Sequence, residues 1–216
     1  MIKKFLLFVF IGGIALTMQA QTVYSNLQDL DKWMVINRSV EAVNEDGKKA
    51  VRFKAHEGEG FLILKGIEFA NGTIEFDVKG RNLVQQSFVG FAFHGVDEKT
   101  YEAVYFRPFN FSNADTARRR RAVQYISMPD YPWEKLRQDS PGKYENKVDP
   151  APDTDNWFHV KIVVQGKYIA VYVNNAATPS LEVVSLSSAA KGGVALWLGN
   201  NSGGSFANLS ITSSAP

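Results

Sequence analysis

The sequence predicts an all-β protein, a two-sheet antiparallel sandwich, and three observations carry that prediction. From Gln21 onward, short apolar runs are separated by Gly and Asn turns, with almost no helical periodicity. Residues 73–79 alternate strictly, with Ile74, Phe76 and Val78 on one face and Glu75, Asp77 and Lys79 on the other, which is the period of a half-buried strand. Phe158 to Val164 and Tyr168 to Val173 flank Gln165-Gly166-Lys167 and read as a hairpin.

The elements follow in chain order. Lys3 and Lys4 precede an uncharged run from Phe5 to Met18, and Ala20 offers a small residue before polar sequence begins at Gln21. That is the three-part order of a secretory signal peptide. The run of 14 residues is shorter than the roughly 20 that a transmembrane helix needs. The expected division is a signal at 1–20 and a single domain at 21–216, periplasmic or extracellular, with no stable membrane span after signal removal. Within the domain, residues 27–33 could form a short helix. Phe61 to Leu64 follows the turn Gly58-Glu59-Gly60, and Asn71-Gly72 turns the chain into the alternating strand. Phe88 to Phe93 is apolar on both faces, as a strand covered on both sides would be. Tyr101 to Phe106, Ala122 to Ser127 and Val194 to Leu198 are further strands. Simple alternation in Phe206 to Ile211 sets Phe206, Asn208 and Ser210 against Ala207, Leu209 and Ile211.

Residues 108–156 break this rhythm. They hold one short strand candidate and the prolines Pro129, Pro132, Pro141, Pro150 and Pro152, with aromatic and basic residues rather than a Ser/Gly linker. Long segments of this kind inside a compact domain are often functional. This one is expected to be an ordered loop excursion covering one face or end of the sandwich.

Composition excludes several classes. The chain has no cysteine, so thiol catalysis, disulfides and Cys-ligated metals are out. It carries 24 basic and 22 acidic residues; loss of Lys3 and Lys4 with the signal leaves the domain neutral, which gives no electrostatic case for nucleic acid. Nothing calls for a cofactor or a metal. His56, His94 and His159 have no metal-ligand spacing. Asp149, Asp153 and Asp155 read as turn formers rather than a calcium loop. Glu75-x-Asp77 resembles half of a glycosidase E-x-D-x-x-E strand, but Gly80 stands at the third position, and a solvated outer face is the simpler reading. Arg118 to Arg121 reads as a solvated loop paired with acids, of which one or two arginines could face a ligand.

The aromatic residues are more informative. Tyr101, Tyr105, Phe106, Phe109 and Phe111 cluster before the excursion, and Tyr125, Tyr131 and Trp133 lie within it. A sugar site wants an aromatic platform with planar donors and acceptors, and Tyr105, Arg107, Gln124 and Trp133 supply those types. The competing reading makes these rings core beneath a long loop. His94, at a strand end before Gly95, borders loops where sites tend to sit.

The runs 72–78, 88–93, 101–107, 157–162, 193–197 and 206–209 together resemble the concanavalin A-like (laminin-G-like) jelly-roll domains. Among these the chain is similar to the secreted bacterial 3-keto-disaccharide hydrolase-like domain family. The resemblance spans nearly all of residues 21–216 and implies a jelly-roll fold and a carbohydrate partner. His94 stands where the family often has Arg, and the excursion is longer than usual. The first functional expectation is a lectin-like glycan-binding protein in which Tyr105, Trp133 and Tyr131 stack on sugars while Arg107, Glu102, His94 and Gln124 hydrogen-bond hydroxyls. The alternative is a glycoside-processing enzyme, for instance a hydrolase of 3-keto sugars. Proton abstraction beside a ketone needs one base, Glu102 or His94, and an oxyanion stabiliser, Arg107. The third is a structural envelope protein with its aromatics buried.

Overall fold

The computed structural model describes residues 21–24 and 26–214, so the expected signal at 1–20 lies outside the described residues. Two antiparallel sheets form the sandwich. The first holds β1 (Gln21–Tyr24), β3 (Val40–Glu45), β4 (Lys48–Phe53), β6 (Gly72–Lys79), β11 (Phe158–Gln165), β12 (Tyr168–Val173), β13 (Leu181–Val184) and β15 (Gly204–Ser213). The second holds β2 (Trp33–Ile36), β5 (Gly60–Leu64), β7 (Val89–Gly95), β8 (Tyr101–Phe106), β9 (Val123–Met128), β10 (Glu145–Asn146) and β14 (Gly193–Leu198). The first sheet runs β13-β12-β11-β6-β15-β4-β3 with β1 added beside β15; the second runs β10-β9-β8-β7-β14-β5-β2. This is the jelly-roll sandwich that the strand pattern predicts.

The inner faces interdigitate. Phe76 of the first sheet stacks on Phe91 of the second at 5.5 Å, and Phe106 meets Phe158 edge-on at 5.2 Å. All four are buried. Ring pairs of this kind between facing sheets contribute beyond their apolar area. On the outside of the first sheet, Glu75 and Asp77 form the polar face expected of them, with Asp77 held by Lys48, His159 and Asn208 at 2.8, 2.9 and 2.6 Å. At 27–33 the helical turn is a 3-10 helix confined to Leu30–Lys32, and β2 begins at Trp33.

Two features depart from the sequence pattern. Strict alternation separates Phe206 from Leu209 and Ile211, yet all three are buried. The register slips between Ala207 and Ser210, and Asn208 adopts φ +54°. The bulge adds a residue to one strand and so returns the apolar side chains to the core. The excursion, in turn, is largely folded. It contains β9, β10, a 3-10 turn at Pro108–Asn110, and the helices α1 (Thr116–Arg119) and α2 (Trp133–Asp139). Strands β9 and β10 extend the second sheet beyond β8, and α2 packs on β9.

Candidate functional site

The two faces of β8 determine where the chemistry lies. Val104 and Phe106 point to the other sheet, and Glu102 shares their parity. Tyr101 and Tyr105 point to the outside of the second sheet. There Tyr105 meets the Trp197 ring at 4.9 Å and Tyr101 meets Phe61 at 5.3 Å. Gly90 of β7 lies under this pair, since a Cβ there would stand 2.6 Å from Tyr105 Cα. A polar line crosses the same face. The Tyr101 hydroxyl donates to Glu59 at 2.5 Å and accepts from Trp197 Nε1 at 3.2 Å. Burial raises the Glu59 carboxyl above its usual range, against the opposing effect of the Tyr101 hydrogen bond and the Arg38 charge. The Tyr105 hydroxyl, pushed up to about 12 chiefly by burial, accepts from Arg107 at 2.6 Å.

Arg107 is the centre of the far end. Its guanidinium is buried and donates to Tyr105, to the Arg121 carbonyl at 2.9 Å and, more loosely, to Gln124 Oε1 at 3.4 Å. It lies 4.8 Å from the Tyr105 ring, 5.8 Å from Phe88 and 5.9 Å from Trp133. A desolvated cation needs such satisfied donors and π faces. Next to it, Arg137 of α2 forks onto the buried Glu145 at 2.9 and 2.5 Å and stacks on Trp133 at 4.5 Å. Arg107, Arg137 and Trp133 border an open cavity of about 730 Å³ between the outer edge of β7–β8, α2 and the 199–201 turn; Trp133 is 38% exposed on its wall.

The sequence-predicted residues are therefore divided. Arg107 and Trp133 meet at this cavity, with Arg118 and Arg121 of the arginine run on its rim. Tyr105 is buried behind Arg107, and its ring is packed against Trp197 rather than open as a platform. Gln124 is buried too; its amide donates to the Tyr125 and Tyr144 carbonyls at 2.9 and 3.1 Å, and its oxygen faces Arg107. Tyr131 packs against the core and does not line the cavity.

Glu102 and His94 lie elsewhere, and the expectation that they share a face with Tyr105 is corrected here. His94 adopts φ +51° at the end of β7, which turns its ring inward between Phe69 and Phe93. Its Nδ1 pairs with the Glu102 carboxylate at 2.6 Å and its Nε2 with the Ala70 carbonyl at 2.9 Å. The Tyr125 hydroxyl donates to the other Glu102 oxygen and accepts from the Leu186 N–H. Both His94 and Glu102 are at most 2% exposed. This is a satisfied polar chain inside the sandwich, with no opening to a ligand. Residues 102 and 105 differ in parity, so the separation was readable from period two alone. Glu59, Arg137, Glu145 and Trp197 were missed; of these, only Trp197, on an apolar strand opposite a glycine, left a signal.

Among the described residues no cluster of three His, Asp or Glu side chains could hold a metal. Asp153 and Asp155 instead bond turn amides at 3.1 and 2.9 Å.

The 3-keto-alpha-glucoside-1,2-lyase-like domain family matches residues 21–212. The chain belongs to this family. No curated protein matches the sequence. Solved structures of like fold include the carbohydrate-binding module CBM66 from Bacillus subtilis, with a TM-score of 0.60 at 13% identity over 83% of this chain and 95% of that one. Domain 4 of AbnA, an extracellular GH43 arabinanase from Geobacillus stearothermophilus in complex with arabinotriose, gives 0.55 at 15% identity over 91% and 94%. The lumenal domain of VIP36, bound to Ca²⁺ and Man3GlcNAc, gives 0.57 at 9% identity over 92% and 91%. The likeness to these structures is one of fold.

Proposed function

We propose that this family member is an exported glycan-recognition protein, with residues 1–20 as its cleaved signal and residues 21–216 as one domain. The sugar occupies the cavity bordered by Arg107, Trp133 and Arg137. One observation carries the reading: a partly exposed Trp ring, steadied by a stacked arginine, shares a cavity of about 730 Å³ with a buried guanidinium and several amide side chains. A sugar presents an apolar C–H face to a ring and a rim of hydroxyls to planar donors. In this reading Trp133 stacks, Arg107 and Asn110 hydrogen-bond hydroxyls, and Tyr105 and Gln124 hold Arg107 in position. The solved structures of like fold include one titled a carbohydrate-binding module and others solved with oligosaccharides, which supports the reading. Calorimetry of residues 21–216 against a glycan panel tests it. Trp133→Ala should weaken binding about tenfold, the loss of one ring–sugar contact of roughly 1–1.5 kcal/mol. An unchanged affinity places the sugar elsewhere.

A second reading, turnover of a 3-keto glycoside, is favoured by Glu59. Its carboxyl sits on the outer face with a raised pKa and a tyrosine hydroxyl attached, as suits a proton-transfer group. Glu102 and His94 have no access to that face. Incubation with 3-keto-glucosides should release the aglycone, and Glu59→Gln should abolish release with the fold intact. Sugar binding without release leaves recognition as the function.

A further inference from the structure

The cavity proposed for the sugar has an unusual charge. Arg107, Arg118, Arg121 and Arg137 all line it, against Glu134 alone among the lining acids. Two further carboxylates stand nearby. Asp115, exposed, lies 3.8 Å from Arg118. Glu145, buried beneath the wall, has both oxygens occupied by the Arg137 fork. The other two guanidinium groups approach Glu145 only to 3.8 Å for Arg121 and 4.0 Å for Arg107, beyond hydrogen-bond reach. One carboxylate thus serves three arginines and makes hydrogen bonds with one. The Arg121 side chain is 42% exposed and its head borders the cavity. Burial pushes Arg107 below its ordinary value; Tyr105 and Glu145 oppose the shift, and the charges of Arg137 and Arg121 add to it.

Arg121, its head exposed at the cavity, and Arg107, buried in the wall, match an oxyanion that carries two or more terminal oxygens. We infer that this cavity selects an acidic sugar, one carrying a carboxylate or sulfate whose oxygens bridge Arg121 and Arg107 while its ring stacks on Trp133. The inference rests on the glycan-recognition reading and adds the ligand's charge to it. An anion here compensates the second and third guanidinium groups and lies in a low-dielectric wall, where charge-assisted hydrogen bonds are strong. Neutral glycans can offer the same hydroxyls but leave that charge unmatched.

The test uses residues 21–216 and four probes: a uronic-acid oligosaccharide, its carboxyl-reduced neutral counterpart, a sulfated oligosaccharide of the same length, and inorganic sulfate. The expected result is binding of the uronate or the sulfated oligomer at least about tenfold tighter than the neutral one at low salt. The preference should shrink as salt rises. The first and third probes identify which oxyanion is used. Arg121→Gln should bring the anionic-to-neutral ratio towards one, while Lys191→Gln, the same charge change on a distant surface, should leave the ratio as it is. Equal affinity for acidic and neutral oligomers overturns the inference and leaves glycan recognition standing. Inorganic sulfate bound as tightly as either oligomer, with no effect of Trp133→Ala, overturns both.

Discussion

Replacing Glu102 separates a structural carboxylate from a working one. In the native protein it accepts from His94 Nδ1 at 2.6 Å and from the Tyr125 hydroxyl, with no solvent contact. Glu102→Ala strands two buried polar groups at about 1–3 kcal/mol each and leaves a cavity of the lost methylenes, so the expected cost is roughly 3–6 kcal/mol. That is a large part of the 5–15 kcal/mol by which such domains are typically stable. At about 2–4 °C per kcal/mol for a domain of this size, a loss near 4 kcal/mol lowers Tm by roughly 8–16 °C. Glu102→Gln behaves differently. Its amide oxygen can accept from Tyr125 and its amide nitrogen can donate to His94 Nδ1, leaving the His94 Nε2 proton for Ala70. Only charge assistance is lost, about 1–2 kcal/mol. Urea unfolding followed by tryptophan fluorescence reads the stability, and calorimetry at 10 °C reads sugar binding. Both variants should bind sugar as the native protein does wherever they are folded. Native stability with lost binding or turnover would put Glu102 back in the functional site and refute the placement argued above.

Two further outcomes follow from the sheets themselves. Burial alone would raise Asp77, but hydrogen bonds from His159, Lys48 and Asn208 hold its carboxyl at about 2. A depressed carboxylate stabilises above its unfolded value and stops doing so as pH falls. A shift from 3.8 to about 2 corresponds to at most about 2.4 kcal/mol, and about 1–2 after solvent screening, lost between roughly pH 4 and pH 2. The Asp77 hydrogen bond raises His159, opposed by burial, so that contribution is complete below about 6.5 and lost as pH rises through the folded value. Asp77→Asn should flatten both limbs in urea midpoints at pH 2.5, 5 and 8; profiles parallel to the native protein's would contradict the account. Gly90→Val should cost about 3 kcal/mol or more, because its Cβ meets the Val104 carbonyl at 2.2 Å in a central strand and drives Tyr105 off Trp197. Loss of near-ultraviolet circular dichroism in the soluble fraction checks it, and a native spectrum would show that the outer aromatic layer has room.

Sequence pattern reached most of the fold because half-buried strands write period two into the chain, as in β6, or are apolar throughout, as in β7. It missed β1, β2, β3, β4, β10 and β13; in β3 the edge position leaves Glu41, Ala42 and Asn44 exposed and dilutes the β-forming composition. Even so, Asp46-Gly47, both at positive φ, marked the β3–β4 turn in plain view. It also misread β15, since a bulge breaks parity without a residue type that announces it. For the site, Arg107 and Trp133 were legible as residue types near one another in sequence. The Arg137–Glu145 fork was not, because it joins a helix to a two-residue strand through tertiary packing alone. Glu102 lies close to Tyr105 along β8 but three residues away, so period two puts its side chain on the opposite face.

The place of β15 has a consequence for how the molecule comes to exist. This strand, residues 204–213, lies between β6 and β4 and also carries β1 on its far half. Until it arrives, β6 and β4 cannot share a sheet and β1 has no partner. The first sheet therefore closes only when β15 joins β13-β12-β11-β6 to β4-β3, a topology of non-local pairing, the class that folds in milliseconds to seconds rather than microseconds. A polypeptide delivered through a membrane from its amino end would keep the two parts of its first sheet unjoined until 204–213 emerged. Removing those residues should leave the folding machinery of the cell with a chain that never closes, rather than with a slightly weaker sandwich.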